Sequence, residues 1–161
     1  MENFQYFILA RALHVVCVVI WIGGVAFVTM ILIPSIKTIS QENFQLELFE
    51  KLENKFALYA RITTLLTGVS GFYMLEYLHA WNRYLEFKFW WLHLMTFIWI
   101  IFTLVLFVLE PLFLHRWFHE IAIKNSKKAF RIIATLHIIL LSISLLAVFF
   151  AVAGAHGLSL F

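Results

Sequence analysis

Residues 9–24, LARALHVVCVVIWIGG, place Arg11 and His14 one helical turn apart inside a long apolar run, with Trp21 and Gly23-Gly24 further along. An ionisable side chain in a bilayer is costly, and those that persist pair with one another or serve a site. Imidazole is also the commonest metal ligand among the side chains. The chain has seven histidines. His14 on the first apolar run and His93 on the third fall at similar depths, about 10 Å and about 6–9 Å below the same surface at roughly 1.5 Å per residue. Two imidazoles at one depth on different helices are the ligand set of a bis-histidine haem, whose macrocycle needs apolar and aromatic walls. Arg11 shares His14's face one turn nearer the water, where a haem propionate needs a cation. Trp21, Trp90, Trp91 and Phe97 are available to line the ring.

Each residue also has a plainer reading. His14 can be a hydrogen-bonded packing residue, and Arg11 can snorkel outward. His93, beside Trp90 and Trp91, suits an interfacial aromatic belt. His79 and His156 lie at the water boundary, as interfacial side chains or lower-ranked metal ligands. His137 lies deeper, as ligand, proton relay or packing. His115 and His119 have the i, i+4 spacing that suits a divalent metal, and equally that of an exposed helix end. No run carries two histidines spaced to stack two haems across a bilayer, since His93 and His115 are 22 apart and His137 and His156 are 19 apart. A single site near the outer face is therefore favoured over a transmembrane electron wire, with a second site from His137 and His115 or His119 left open. The lone Cys17 cannot form an internal disulfide and reads as a small core residue. Glu76 is expected to pair with Arg11 or Arg83, and Glu110 with Arg61 or Arg131.

These residues must be positioned by helices. Hydrophobic residues make up 63% of the 161 and charged residues 13%, which excludes an ordinary soluble domain. About 20 apolar residues cross a bilayer as a helix. Runs at about 7–33 (ended by Pro34), 60–80, 87–114 and 130–155 predict four spans in one transmembrane domain. Short connections make them an all-α, antiparallel four-helix bundle. The N-terminus lacks the basic region of a secretory signal, so the first run is read as a retained span. The segment SQENFQLELFEKLENKFALYARI reads as an amphipathic interfacial helix between spans 1 and 2. Nine Lys and Arg side chains fall on the side of the first and third connections and three on the other. The positive-inside rule then puts both termini outside, in the periplasm for a bacterial inner membrane. In the second span, Thr64/Gly68 and Thr67/Gly71 are small-xxx-small pairs, for close helix approach or for cofactor clearance.

The stretch RALHVVCVVIWIGGVAF resembles the first span of copper-resistance D (CopD)-like membrane proteins and their relatives, the HemJ-type protoporphyrinogen oxidases. The matching features are Leu13-His14, Trp21 and Gly23-Gly24, with IPSIK at the cytoplasmic end. FWWLHLMTF, residues 89–97, resembles the start of their third span. The likeness is firm over roughly 30 residues. It implies a helical bundle handling haem b or copper, with the first-span histidine, here His14, as a haem ligand. The third-span lysine of the HemJ type is replaced here by Met95, which leaves His93 or the Met95 thioether as second ligand.

The leading expectation is a small membrane cytochrome b with haem between spans 1 and 3. It would transfer single electrons, with quinol, a periplasmic redox protein or a small oxidant as partner. Copper handling is the alternative, since thioethers and imidazoles select Cu(I) and Met30, Met74, Met95 and Cys17 are present. A HemJ-like porphyrinogen oxidase and a purely structural subunit are the others. The bilayer is the expected partner and nucleic acid is not. A homodimer is compatible with a bundle this small.

Overall fold

The computed structural model describes residues 2–158, apart from the side chains of residues 2, 42, 43 and 115. Every regular element among them is helical. The first rod is α1 (Glu2–Phe27), a wide π-helical turn (Val28–Leu32) and α2 (Ile33–Ile36). Pro34 was expected to end this span, yet the rod continues to Ile36. Proline has no N–H and its ring crowds the preceding turn. The wide turn absorbs that, with the Ile33 N–H reaching back to the Val28 carbonyl.

After a short turn, α3 (Glu42–Tyr77) runs as one 36-residue helix. It joins without a break the amphipathic segment and the run expected to span. It ends where His79 takes a positive φ of 47°. Two short 3₁₀ turns, Trp81–Leu85 and Phe87–Phe89, lead into α4 (Trp90–Leu104). A second π-helical stretch, Val105–Leu114, contains Pro111, and α5 (His115–Lys124) continues the rod. The sequence suggested a connection of roughly 15 residues before the last span. The helix instead persists to Lys124, and the chain reverses at Asn125, with φ −160° and ψ 89°. The Asn125 side chain accepts from the Lys128 N–H at 2.9 Å, so one residue both breaks the helix and caps α6 (Ser126–Ala155).

The helices contact one another in a closed order. α1 lies along α3, α3 meets α4, α4 lies along α6, and α6 returns to α1. One core cluster joins Trp21, Val25, Ala60, Ile98, Phe102, Leu141 and Ala147. A second, at the α5 end, is built on Phe49, Phe118 and Phe130, whose ring centroids lie 5.3–5.8 Å apart. The outside is largely apolar, with Leu9, Val19, Met30, Val69, Phe107 and Phe149 among many exposed large side chains. So much apolar surface is unfavourable in water and requires a covering. Among the described residues, three helices are long and apolar enough to cross a membrane: Asn3–Ile36, Phe87–Leu114 and Ser126–Ala155.

The C-terminal half of α3 is less apolar on average for a local reason. Thr63, Thr64, Thr67 and Ser70 point inward and are buried, while Ile62, Leu65, Val69 and Phe72 point outward and are exposed. Thr63, Thr67 and Ser70 satisfy their hydroxyls on carbonyls of the preceding turn, at 2.9, 2.7 and 2.6 Å. Polar groups thus face the protein and apolar ones the outside.

Candidate functional site

The site forms where α1 meets this hydroxyl-bearing face of α3. His14 Nδ1 lies 2.9 Å from the Thr67 carbonyl oxygen. A carbonyl can only accept, so Nδ1 carries the proton and donates. Ser70 Oγ gives its own proton to the Leu66 carbonyl at 2.6 Å, and accepts from His14 Nδ1 at 3.1 Å. Nε2 of His14 is therefore left with its lone pair. Histidines that bind metals are commonly fixed this way, with the second nitrogen held by a backbone carbonyl.

Gly71 makes the approach possible. A Cβ at that position would lie 3.3 Å from His14 Cε1. Gly68, one turn earlier, is covered by Trp99 of α4, where a Cβ would meet the indole at 2.4 Å. Trp99 Nε1 donates to the Thr64 carbonyl at 2.9 Å. The small residues of α3 are thus seats for an imidazole and an indole. An apolar groove of about 310 Å³ opens beside Gly68 and Trp99, bounded by Leu65, Val69 and Phe72.

Trp21 lies two turns further along α1, 3% exposed, with its ring edge-on to Phe102 at 4.8 Å. Among the described residues, its Nε1 has no hydrogen-bond partner, and neither has the fully buried Thr64 hydroxyl. Stacking of Phe7 on Tyr77, His14 on Thr67 and Gly71, and Phe56 on Gly24 sets the α1–α3 register. By that register Trp21 stands opposite the Ala60–Thr64 turn. Two unpaired polar atoms in one buried layer are uncommon, since each costs free energy when desolvated alone.

The other predicted residues are placed elsewhere. His93 is exposed, and its Nε2 donates to the Tyr84 carbonyl at 3.0 Å while Nδ1 faces the Phe89 carbonyl at 3.4 Å. Its ring packs edge-on against Tyr84. His14 is held by α3, so the two histidines have separate partners. Arg11 is exposed and Met95 half-buried. His137 and His156 each hold Nδ1 on the carbonyl one turn back, Ile133 at 2.9 Å and Val152 at 2.8 Å. His79 is exposed in the turn after α3. The expected His115–His119 pair includes a side chain outside the described residues, and His119 itself meets Glu50 at 2.9 Å. Among the described residues, no three His, Cys, Asp or Glu side chains are grouped to hold a metal ion.

Of the two span-end acids, Glu110 is half-buried and pairs with Arg61, one of its two expected partners, at 3.1 Å, whereas Glu76 is exposed. Glu76 instead accepts from Trp81 Nε1 at 2.9 Å. Near Glu110, and outside the apolar spans, burial pushes the Glu53 carboxyl up to about 7, helped by the charges of Glu110 and Glu50. The partners that sequence reading missed are Thr67 and Ser70 for His14, Thr64 for Trp99, and Tyr84 for His93. Only the i, i+4 hydroxyl pattern of Thr63 and Thr67 hinted that this face of α3 looks inward.

Comparison with protein-family models, curated proteins and solved structures finds no match to the chain.

Proposed function

We propose that the protein is a multi-pass membrane cytochrome, with haem b held through His14 in an antiparallel four-helix bundle. The carrying observation is the His14 hydrogen bond to the Thr67 carbonyl, which fixes the tautomer and leaves Nε2 with its lone pair. The fourth span is the C-terminal half of α3, whose hydroxyls face inward and whose aliphatic and aromatic side chains face out. The excess of Lys and Arg at the α5 end supports a reading in which that end is cytoplasmic and the termini lie outside a bacterial inner membrane.

The residues at this level fit the group in their donor chemistry. His14 supplies an imidazole nitrogen, and Trp21 and Thr64 contribute buried polar atoms without partners. For the second ligand, His93 must release Tyr84, or the Met95 thioether takes the place. Arg11, exposed one turn outward, would meet the group's acidic side chains. Bound haem supplies one-electron exchange, at a potential higher for a methionine ligand than for a second histidine. The chain's part is to orient His14 through Thr67, Ser70 and Gly71, and to exclude water with the Trp21–Phe102 layer. Quinol or a periplasmic redox protein are the partners this reading implies. The likeness to CopD-like and HemJ-type proteins at residues 11–27 and 89–97 points the same way.

The test is a reduced-minus-oxidised absorption spectrum of the detergent-purified protein, with iron and copper quantified. A Soret band that is lost in His14→Ala supports the reading. Stoichiometric copper without iron would replace it with copper handling. A colourless, metal-free and fully folded preparation would leave His14 as a packing residue and end the proposal.

A further inference from the structure

The α5 end of the molecule carries a cavity of about 580 Å³ lined by Lys37, Thr38, Ile39, Ser40, Gln45, Lys127, Phe130 and Arg131. Three cations from two separate parts of the chain converge on it. Among the described residues, none of Lys37, Lys127 and Arg131 meets an acidic side chain, and the ion pairs are Arg61–Glu110, Lys88–Glu86 and His119–Glu50. The floor is tied together. Gln45 donates to the Ile39 carbonyl, the Ser126 hydroxyl reaches Gln45 Oε1 at 3.4 Å, and both residues are buried. α6 begins here, so the positive end of a 30-residue helix adds to the cationic field.

The depth of the cavity identifies its occupant. Lys37 directly follows the apolar span that ends at Ile36, and Lys127 and Arg131 lie in the first two turns of the span that begins at Ser126. That is the level of lipid phosphates. A phosphate needs cations and hydroxyl or N–H donors. The glycerol and first acyl carbons need an apolar wall, which Ile39 and Phe130 supply. Basic pockets between spans on the cytoplasmic side commonly take anionic headgroups. We infer that this cavity binds the phosphate headgroup of an anionic phospholipid, through Lys37, Lys127 and Arg131. The inference rests on the membrane reading above and is independent of haem.

The test uses the full chain in nanodiscs of zwitterionic phospholipid, with and without added phosphatidylglycerol. Retained lipid is read by native mass spectrometry. The triple variant Lys37→Gln/Lys127→Gln/Arg131→Gln is compared with Lys51→Gln/Lys55→Gln/Lys124→Gln, which removes three exposed cations from the same end outside the cavity. The first is expected to lower retention of phosphatidylglycerol by about tenfold or more, and the second to leave it near wild type. Single Lys37→Gln and Lys127→Gln variants, at exposed positions, should each show part of the loss and keep the test open if the triple variant misfolds. Equal losses in both triple variants would overturn the inference in favour of general surface attraction. Displacement of the lipid by millimolar inorganic phosphate would overturn it in favour of a soluble phosphate ligand. A chain that enters neither kind of nanodisc would instead overturn the membrane reading itself.

Discussion

Arg61 Nε donates to the Leu106 carbonyl at 2.9 Å, five residues before Pro111. In a π-helical stretch that carbonyl would receive the N–H of residue 111, and proline has none. Arg61 supplies the missing donor from the neighbouring helix, and with its other arm pairs with Glu110 at 3.1 Å. Arg61→Leu should therefore remove the donor to the Leu106 carbonyl and one ion-pair partner of Glu110, and cost about 1–3 kcal/mol. Pro111→Ala restores an N–H, so the Arg61→Leu penalty should shrink by about 1 kcal/mol in that background. Denaturation of the four proteins in one detergent measures it. An unchanged penalty would mean that Arg61 acts only through Glu110.

Thr64 offers a cleaner contrast. Its hydroxyl is fully buried and unpaired, whereas that of Thr67 is satisfied by the Thr63 carbonyl at 2.7 Å. Thr→Val exchanges a hydroxyl for a methyl at nearly constant volume. At 64 it should be neutral or stabilise by about 1 kcal/mol, and at 67 it should destabilise by a similar amount. Should Thr64→Val instead lower haem retention with no change in melting temperature, the hydroxyl contacts the cofactor.

Gly68 and Gly71 should separate in the same assay. A Cβ at 68 would lie 2.4 Å from the Trp99 indole, and one at 71 3.3 Å from His14. Gly68→Ala must displace the ring that donates to the Thr64 carbonyl, and is expected to cost about 1–3 kcal/mol. Gly71→Ala needs a shift of only a few tenths of an ångström and should cost under about 1 kcal/mol. Gly71→Leu should displace His14 and abolish any Soret band. Equal costs for the two alanine variants would show that α4 packs more loosely on α3 than the indole contact indicates.

Glu53 gives the fold a pH dependence with a definite sign. Its carboxyl is held up to about 7, first by burial and then by Glu110 and Glu50. The folded state therefore holds this proton more tightly than the unfolded chain, whose carboxyl titrates near 4.5. The resulting stability is full below about 4.5 and is lost as pH rises through about 7. The melting temperature should fall between pH 5 and pH 8, with Glu53→Gln flattening the slope. A wild-type slope that the variant leaves unchanged would assign the effect to other groups.

Helicity and the membrane-scale length of three helices among the described residues follow from the sequence alone, because apolar runs of that length have few other solutions. The sequence left Glu110 a choice of Arg61 or Arg131 as its partner, and the structure selects Arg61. The α3 half-helix was harder, since Thr63, Thr64, Thr67 and Ser70 lower its mean hydropathy while its exposed face stays apolar. Which side a hydroxyl faces depends on the neighbouring helix, and composition does not carry it. The histidines divide the same way. The sequence placed His14 and His93 at one depth, but depth does not fix azimuth. Only the packed structure turns His14 onto Thr67 and Ser70 and gives His93 to the Tyr84 carbonyl, because hydrogen-bond partners are chosen by rotation about each helix axis and by gaps such as Gly71 that admit a ring.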